Sequence, residues 1–367
     1  MHLFNDFDMD FEEDGQESFP DFYLEWDESL SNNRSPHFVE SDELCEIIEI
    51  YLNESELDKA RQSIRYALHF YPNDLEMIYD ISILLNDFEL WEDILTLVEE
   101  YKEQADVWMD GNKICALLHL GMEEDAFLLF QGMKSKYEND SESLSVIYQA
   151  MCEALIEVDL FEASLGVINE AVELMGEQVD FYWLKLQAFV SLEEKEKAVE
   201  IAEKIEQINP WDTETWLRIG AIYADDLDEA EKAIDAFEFA ESLGSKQSYI
   251  TLRLITLYEK QGIYFKALEK IKVYLKENED AGPIHILAIN MCSQLNLWEE
   301  ALHYVDEALK FAPEISLLYL YKSNFLAMLG EIQKAKSILK EGIRKTDDSE
   351  GELIKEFTKL QEQYPDN

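Results

Sequence analysis

Residues 213 to 244 read TETWLRIGAIYADDLDEAEKAIDAFEFAESLG, and the spacing of their apolar side chains decides the fold. Trp216, Ile219, Gly220 and Tyr223 fall on one stripe of a first helix, and Ala233, Phe237 and Ala240 on one stripe of a second. Intervals of three and four are the period of amphipathic helices, and the acidic residues between them form a tight turn with one residue more than usual. The design returns at 42 to 72 (DELCEIIEIYLNESELDKARQSIRYALHFYP), at 180 to 210 (DFYWLKLQAFVSLEEKEKAVEIAEKIEQINP) and at 282 to 313 (GPIHILAINMCSQLNLWEEALHYVDEALKFAP).

The residue near the start of each second helix steps along the chain as Ala60, Ile94, Ala126, Ala163, Ala198, Ala233, Ala267, Ala301 and Ala335, at intervals of 34, 32, 37, 35, 35, 34, 34 and 34. A small residue there lets paired helices approach, while groups such as Phe237 and Tyr51 fill the space beside it. The turn needs a left-handed backbone, and that position carries Gly121, Gly262 and Gly330, with Asn296 and Asp159 as the next most tolerant choices. Pro72, Pro210 and Pro313 stop the second helices of their repeats. A single helix pair cannot bury its own apolar face, so neighbours must stack into one continuous core.

A helix-turn-helix repeat of 34 residues with this pattern resembles the tetratricopeptide repeat, and the chain is similar to stand-alone acidic bacterial proteins of that kind. The resemblance is strongest at 213 to 244. It extends to Tyr51, Ala60, Ile64, Ala67 and Pro72, to Tyr258, Gly262, Ala267, Ile271 and Tyr274, and to Ala301, Val305, Ala308 and Pro313. It implies an all-α, right-handed superhelical α-solenoid of about nine such units. Ile94 and Gly342 depart from the small or Ala-type residues usual in the pattern, and the third and fourth units are out of step in length, which leaves the curvature over 94 to 164 open. The expected organisation is an acidic aromatic segment over 1 to 40, the repeats over 41 to 348, and a C-terminal cap helix and tail over 349 to 367. In that last stretch Leu353, Phe357 and Leu360 lie four and three apart.

Composition narrows the function. Of 367 residues, 80 are Asp or Glu and 30 are Lys or Arg, a formal net charge of −50. Such a balance disfavours a phosphate backbone, which needs a basic face to release counterions, so no nucleic acid is expected. With 47% hydrophobic residues there is ample material for a core, and only 13 Gly and 7 Pro leave little for phosphate loops or β-turns. Cys45, Cys115, Cys152 and Cys292 lack any CxxC spacing and read as buried free thiols of a reducing compartment. Neither an export signal nor a membrane-spanning stretch is legible, so the expected location is cytoplasmic with no membrane partner.

The first 40 residues carry twelve carboxylates against Arg34. Phe4, Phe7 and Phe11, then Phe19, Phe22 and Trp26, recur at helical spacing. Ser18 and Pro20 suit the start of a helix over about 19 to 30. Two readings stay open: a largely disordered tail, or amphipathic helices docked in cis or offered to a partner. Asp6, Asp8, Asp10, Asp14 and Glu17 mimic a calcium loop, but Phe11 stands where its sharp turn needs Gly.

Walker, dinucleotide, GxSxG and HExxH motifs are absent, and no two histidines stand one helical turn apart. His69 and His303 read as packing or surface groups. No catalytic residue, cofactor or metal is expected.

Binding remains. The resemblance places the second, fifth, ninth and twelfth positions of each unit's first helix on an inner groove. That puts Glu49, Tyr79, Ile83, Trp108, Gln149, Glu153, Trp183, Gln187, Leu217, Leu252, Asn290 and Asn324 on or near it. For Trp108 and Trp183 the plainer reading is packing between repeats. Family members that clamp an acidic chaperone tail use Lys, Arg and Asn, whereas Cys45, Glu49, Asn53, Tyr79 and Trp108 supply no cation. The implied function is a protein-protein interaction scaffold taking a peptide or helix of a basic or apolar partner. The alternative is an acidic chaperone or nucleic-acid-mimic decoy acting through charge.

Overall fold

The computed structural model describes residues 19–32, 34, 38–104, 106–245, 248–278, 282–346 and 351–365, in which every regular element is an α-helix. These residues divide into two compact units, 1–188 and 189–367.

The first unit opens with α1 (Asp21–Ser31), followed by α2 (Ser41–Asn53), α3 (Leu57–Phe70), α4 (Leu75–Asp87), α5 (Trp91–Glu100), α6 (Val107–His119), α7 (Glu123–Lys136), α8 (Ser141–Glu157), α9 (Phe161–Met175) and most of α10 (Val179–Ser191). From α2 to α9 in the first unit, an even-numbered first helix and an odd-numbered second helix form each antiparallel pair. In the second unit follow α11 (Lys195–Ile208), α12 (Thr213–Asp225), α13 (Ala230–Ser242), α14 (Ser248–Lys260), α15 (Tyr264–Glu277), α16 (Gly282–Gln294), α17 (Trp298–Phe311), α18 (Ser316–Met328), α19 (Ile332–Lys345) and α20 (Glu352–Gln363). There α12 to α19 repeat the arrangement.

One turn recurs between the helices of each pair. Its left-handed residue is Ser55, Glu89, Gly121, Asp159, Glu193, Asp228, Gly262, Asn296 or Gly330, all with φ between 51° and 81°. In the first pair the residue after it, Glu56, donates its N–H to the Tyr51 carbonyl at 2.8 Å, and Ser55 donates to Leu52 at 3.0 Å. Leu90 to Leu85, Met122 to Leu117, Leu160 to Leu155, Ile263 to Tyr258, Leu297 to Cys292 and Glu331 to Leu326 repeat the longer bond. This is the Schellman closure, which satisfies carbonyls that the helix end would otherwise orphan. The expected extra residue between α12 and α13 is present, and there Glu229 reaches back to Tyr223.

Five residues beyond the left-handed position, the fourth residue of the second helix is buried every time: Ala60, Ile94, Ala126, Ser164, Ala198, Ala233, Ala267, Ala301 and Ala335 are at most 1% exposed. One expectation is corrected. In α9 this position belongs to Ser164, not to its half-buried neighbour Ala163, and the Ser164 hydroxyl removes its own polarity by donating to the Cys152 carbonyl at 3.1 Å. The length irregularities are equally local. Helix α8 has 17 residues where other first helices have 13, so four residues add about one turn and leave its buried stripe in phase. Helix α5 is shortened to 10 residues, and the connection after it is longer than the one after α3.

Four of the first helices are started by aspartate. Asp74, Asp106, Asp140 and Asp212 each accept the backbone N–H of the third helical residue of α4, α6, α8 and α12. Pro72, Pro210 and Pro313 follow the ends of α3, α11 and α17, where they were expected.

Helix α1 begins two residues later than the sequence suggests, with Pro20 at its N-cap rather than in its first turn; Ser18 lies outside the described residues, as do Phe4, Phe7, Phe11 and the calcium-loop mimic. Its buried stripe is Tyr23, Trp26 and Leu30, with Phe22 half-buried and Phe19 40% exposed. Trp26 is fully buried against the Tyr66 ring, with centroids 4.9 Å apart, and its Nε1 donates to the buried Ser63 Oγ at 3.1 Å. Asp27 accepts from Tyr51 Oη and Lys59 Nζ, both at 2.9 Å. The same triad appears where Glu238 of α13 accepts from Tyr258 of α14 and Lys266 of α15. Helix α1 thus stands to α2 and α3 as the second helix of one repeat stands to the next pair. At the other end α20 packs on α18 and α19 through buried Leu353 and Leu360, with Phe357 half-buried.

Candidate protein-binding face

The apolar stripe that binds first and second helices together leaves another stripe of each first helix uncovered. On α2 it contains Cys45 and Glu49, on α4 Tyr79 and Ile83, on α8 Gln149 and Glu153, and on α10 Trp183 and Gln187. Residues four apart on a helix share a face, so these pairs stand side by side on their helices. Tyr79, Ile83, Gln149, Trp183 and Gln187 are half-buried, while Glu49 and Glu153 are exposed. Trp108, in the first turn of α6, is 51% exposed. In the second unit Leu217 on α12, Leu252 on α14, Asn290 on α16 and Asn324 on α18 are all half-buried.

Two expectations about cysteine are corrected. Cys152 and Cys292 are buried, but Cys45 and Cys115 are only half-buried, because the fifth position of α2 and the ninth of α6 point away from the paired helix. Apolar periodicity is the same for a stripe that meets a partner helix and for one at its edge. His69 and His303 are exposed, and a shallow hollow of about 260 Å³ beside His69 is lined by Trp26, Tyr66, Phe70 and Arg65.

The electrostatics of the first unit are one-sided. Helices α2, α4 and α8 contain no Lys or Arg. Burial pushes the Asp80 carboxyl above its ordinary value, and the charges of Asp42 and Asp74 push it further. Burial together with Asp80, Asp42 and Asp74 raises the Cys45 thiol to about 12. The Tyr79 phenol rises through burial and then through Asp106 and Asp80. Glu153 reaches the surface, yet its surroundings strip enough water from the carboxyl to raise its pKa, and Glu157 adds repulsion. Carboxylates that repel one another in partly dry surroundings favour an arriving cation.

Many cations among the described residues are engaged in ion pairs, Lys113 of α6 with Glu99 among them. Lys134 pairs with Glu170, Lys136 with Asp110, and Arg61 with Asp93 through Nε and Nη2 at 3.0 and 2.6 Å. In the second unit Arg253 pairs with Asp225, Lys260 with Asp228, Lys272 with Glu300 and Lys322 with Asp306. Many of these pairs join residues about one repeat apart, so they tie neighbouring helices and leave the surplus of carboxylates uncompensated. The first-helix face of the first unit therefore presents aromatic and aliphatic edges, amides and negative charge. Sequence reasoning overlooked Trp211, 78% exposed in the turn after Pro210, although a Trp directly following a helix-stopping Pro is a visible signal.

No family model matches the chain, and no curated protein matches it. Among solved structures it is similar to a tetratricopeptide repeat protein from Parabacteroides merdae, at 14% identity and a TM-score of 0.36, over 74% of this chain and 98% of that one. It is also similar to YrrB, described as a TPR protein with an unusual peptide-binding site, at 18% identity and a TM-score of 0.40, over 52% of this chain and 97% of that one. The pilus biogenesis factor PilW aligns at 14% identity and a TM-score of 0.32, over 61% of this chain and 95% of that one. The protein is a helical repeat protein, and the structures it resembles are tetratricopeptide repeat proteins. No helix among the described residues is long and apolar enough to cross a membrane.

Proposed function

We propose that the protein is a non-enzymatic scaffold whose first unit takes a basic, apolar-anchored peptide or helix of a partner protein on the face built by α2, α4, α6, α8 and the start of α10. The observation that carries this reading is the coincidence of half-exposed Tyr79, Ile83 and Trp108 with a run of first helices in which α2 and α4 carry no basic residue. Aromatic side chains in such positions are the usual anchors of a binding surface, and the surrounding carboxylates would steer and orient a Lys- or Arg-bearing segment. Within the second unit, Leu217, Leu252, Asn290 and Asn324 offer similar chemistry in weaker form on their own helices. Nucleic acid is disfavoured by the charge of −50.

The net charge favours one other reading, an acidic decoy or chaperone that holds basic proteins without anchors. A panel of peptides separates the two. Sequences alternating Lys or Arg with Leu or Phe should bind the full chain and hold on in moderate salt, and their Glu-bearing counterparts should not bind. Tyr79→Ala or Trp108→Ala should weaken the basic peptides by about 1–2 kcal/mol each. Binding that ignores both substitutions and vanishes with salt would establish the decoy reading instead.

A further inference from the structure

We infer that Cys115, His119 and Glu157 form a binding site for a zinc-type divalent ion. Cys115 and His119 stand four residues apart on α6, so a single helical turn places thiol and imidazole on one stripe. Glu157 is the last residue of α8, which packs along α6. Its Oε2 lies 3.0 Å from His119 Nε2 and 3.8 Å from Cys115 Sγ, and all three donor atoms lie within 4.8 Å of one another. A tetrahedral zinc ion, with bonds of about 2.3 Å to sulfur and about 2.0 Å to nitrogen and oxygen, separates sulfur from oxygen by about 3.5 Å and nitrogen from oxygen by about 3.3 Å. The observed sulfur–oxygen and nitrogen–oxygen separations each lie within about 0.3 Å of that geometry.

Their surroundings support the assignment. Trp91, the first residue of α5, lies flat on the His119 ring with centroids 4.1 Å apart and planes 7° from parallel, which fixes the orientation of the imidazole. Glu153, one turn before Glu157 on α8, adds a second carboxylate to the local field. Side-chain exposures of 21% for His119 and 39% for Glu157 give an ion a route in. Thiolate, imidazole and carboxylate together suit zinc or cobalt, whereas magnesium and calcium want oxygen ligands throughout. On binding, the Cys115 S–H proton leaves to solvent as the metal-sulfur bond forms, with no change of oxidation state. Three protein ligands leave one coordination position open to water. The signal in the sequence was Cys-Ala-Leu-Leu-His, a mixed pair that a search for paired histidines passes over.

Cobalt(II) titrated into the full-length protein tests the site, because only a thiolate ligand produces a sulfur-to-cobalt charge-transfer band. The expected result is that band at one equivalent, with the intense visible absorption of four-coordinate cobalt. Zinc should displace it, and millimolar magnesium or calcium should not. Cys115→Ser should abolish the band while Cys45→Ser leaves it intact, and His119→Gln should weaken binding by more than the roughly 10- to 100-fold that outer partners of a metal typically contribute. Circular dichroism of each variant separates loss of a ligand from loss of fold. Weak six-coordinate spectra without a thiolate band, or a band that persists in Cys115→Ser, would overturn the assignment and leave the three side chains as a hydrogen-bonded cluster.

Discussion

At the scale of single residues, backbone conformation and close approach decide more than side-chain chemistry. Glu89 and Glu193 hold the left-handed turn position at φ 55° and 56°, which glycine occupies without a steric penalty. Glu89→Gly and Glu193→Gly should each raise stability by roughly 0.5–1 kcal/mol, read from the midpoint of urea unfolding, whereas Gly121→Ala should lower it by about 1 kcal/mol. Equal effects at all three positions would show that the turn tolerates any residue. Gly342 poses the opposite constraint. A Cβ there would sit 2.8 Å from Tyr319 and 2.9 Å from Leu353, so the helix-favouring change Gly342→Ala should destabilise the α18–α20 cluster by about 1–3 kcal/mol. The departure from the repeat pattern seen at Gly342 in the sequence is thus the contact that admits α20.

At the scale of helices, caps and turns account for what was legible. The 34-residue period, the small buried residue and the stopping prolines could be read because each is a one-residue requirement. Gly121, Asp159, Gly262, Asn296 and Gly330 were legible as turn residues, while Ser55, Glu89 and Glu193 were not, since no side-chain preference marks them and only the repeat register does; Asp228 was hidden by Asp225 and Asp226 in the same lengthened turn. Ser164 was missed because Ala163 is the smaller neighbour. The binding face is less legible than the fold: the resemblance places residues on it, but exposure depends on how far neighbouring helices reach over each one. Asp106→Ala should remove the α6 cap at a cost of about 1 kcal/mol, checked by the same urea midpoint. For α1, burial pushes the Asp27 carboxyl up, but hydrogen bonds from Lys59 and Tyr51 outweigh it and hold it below the ordinary aspartate value of 3.8. A lowered native pKa means that this contribution is present above the unfolded value and is lost as pH falls through the folded one. Protease sensitivity around α1 should therefore rise in acid below about pH 4, and Asp27→Asn should flatten that dependence.

At the scale of the whole chain, 80 carboxylates face 30 basic residues, many of which already bridge neighbouring helices. Exposed ion pairs contribute little each, so the uncompensated repulsion should dominate. Raising sodium chloride from low to physiological strength, where the screening length falls to about 8 Å, should raise the thermal midpoint; a lower midpoint would mean that the cross-helix pairs dominate instead. The central claim is that this acidic chain binds through anchors on one face rather than through charge alone. The most direct test places a photo-crosslinking amino acid at Ile83 or Gln149 on that face, and at Leu128 or Leu174, exposed on second helices, for comparison. Irradiation in a lysate at high salt, followed by mass spectrometry, should yield one shared adduct from Ile83 and Gln149 and none from Leu128 or Leu174. The same basic proteins captured from all four positions, disappearing together as salt rises, would contradict it.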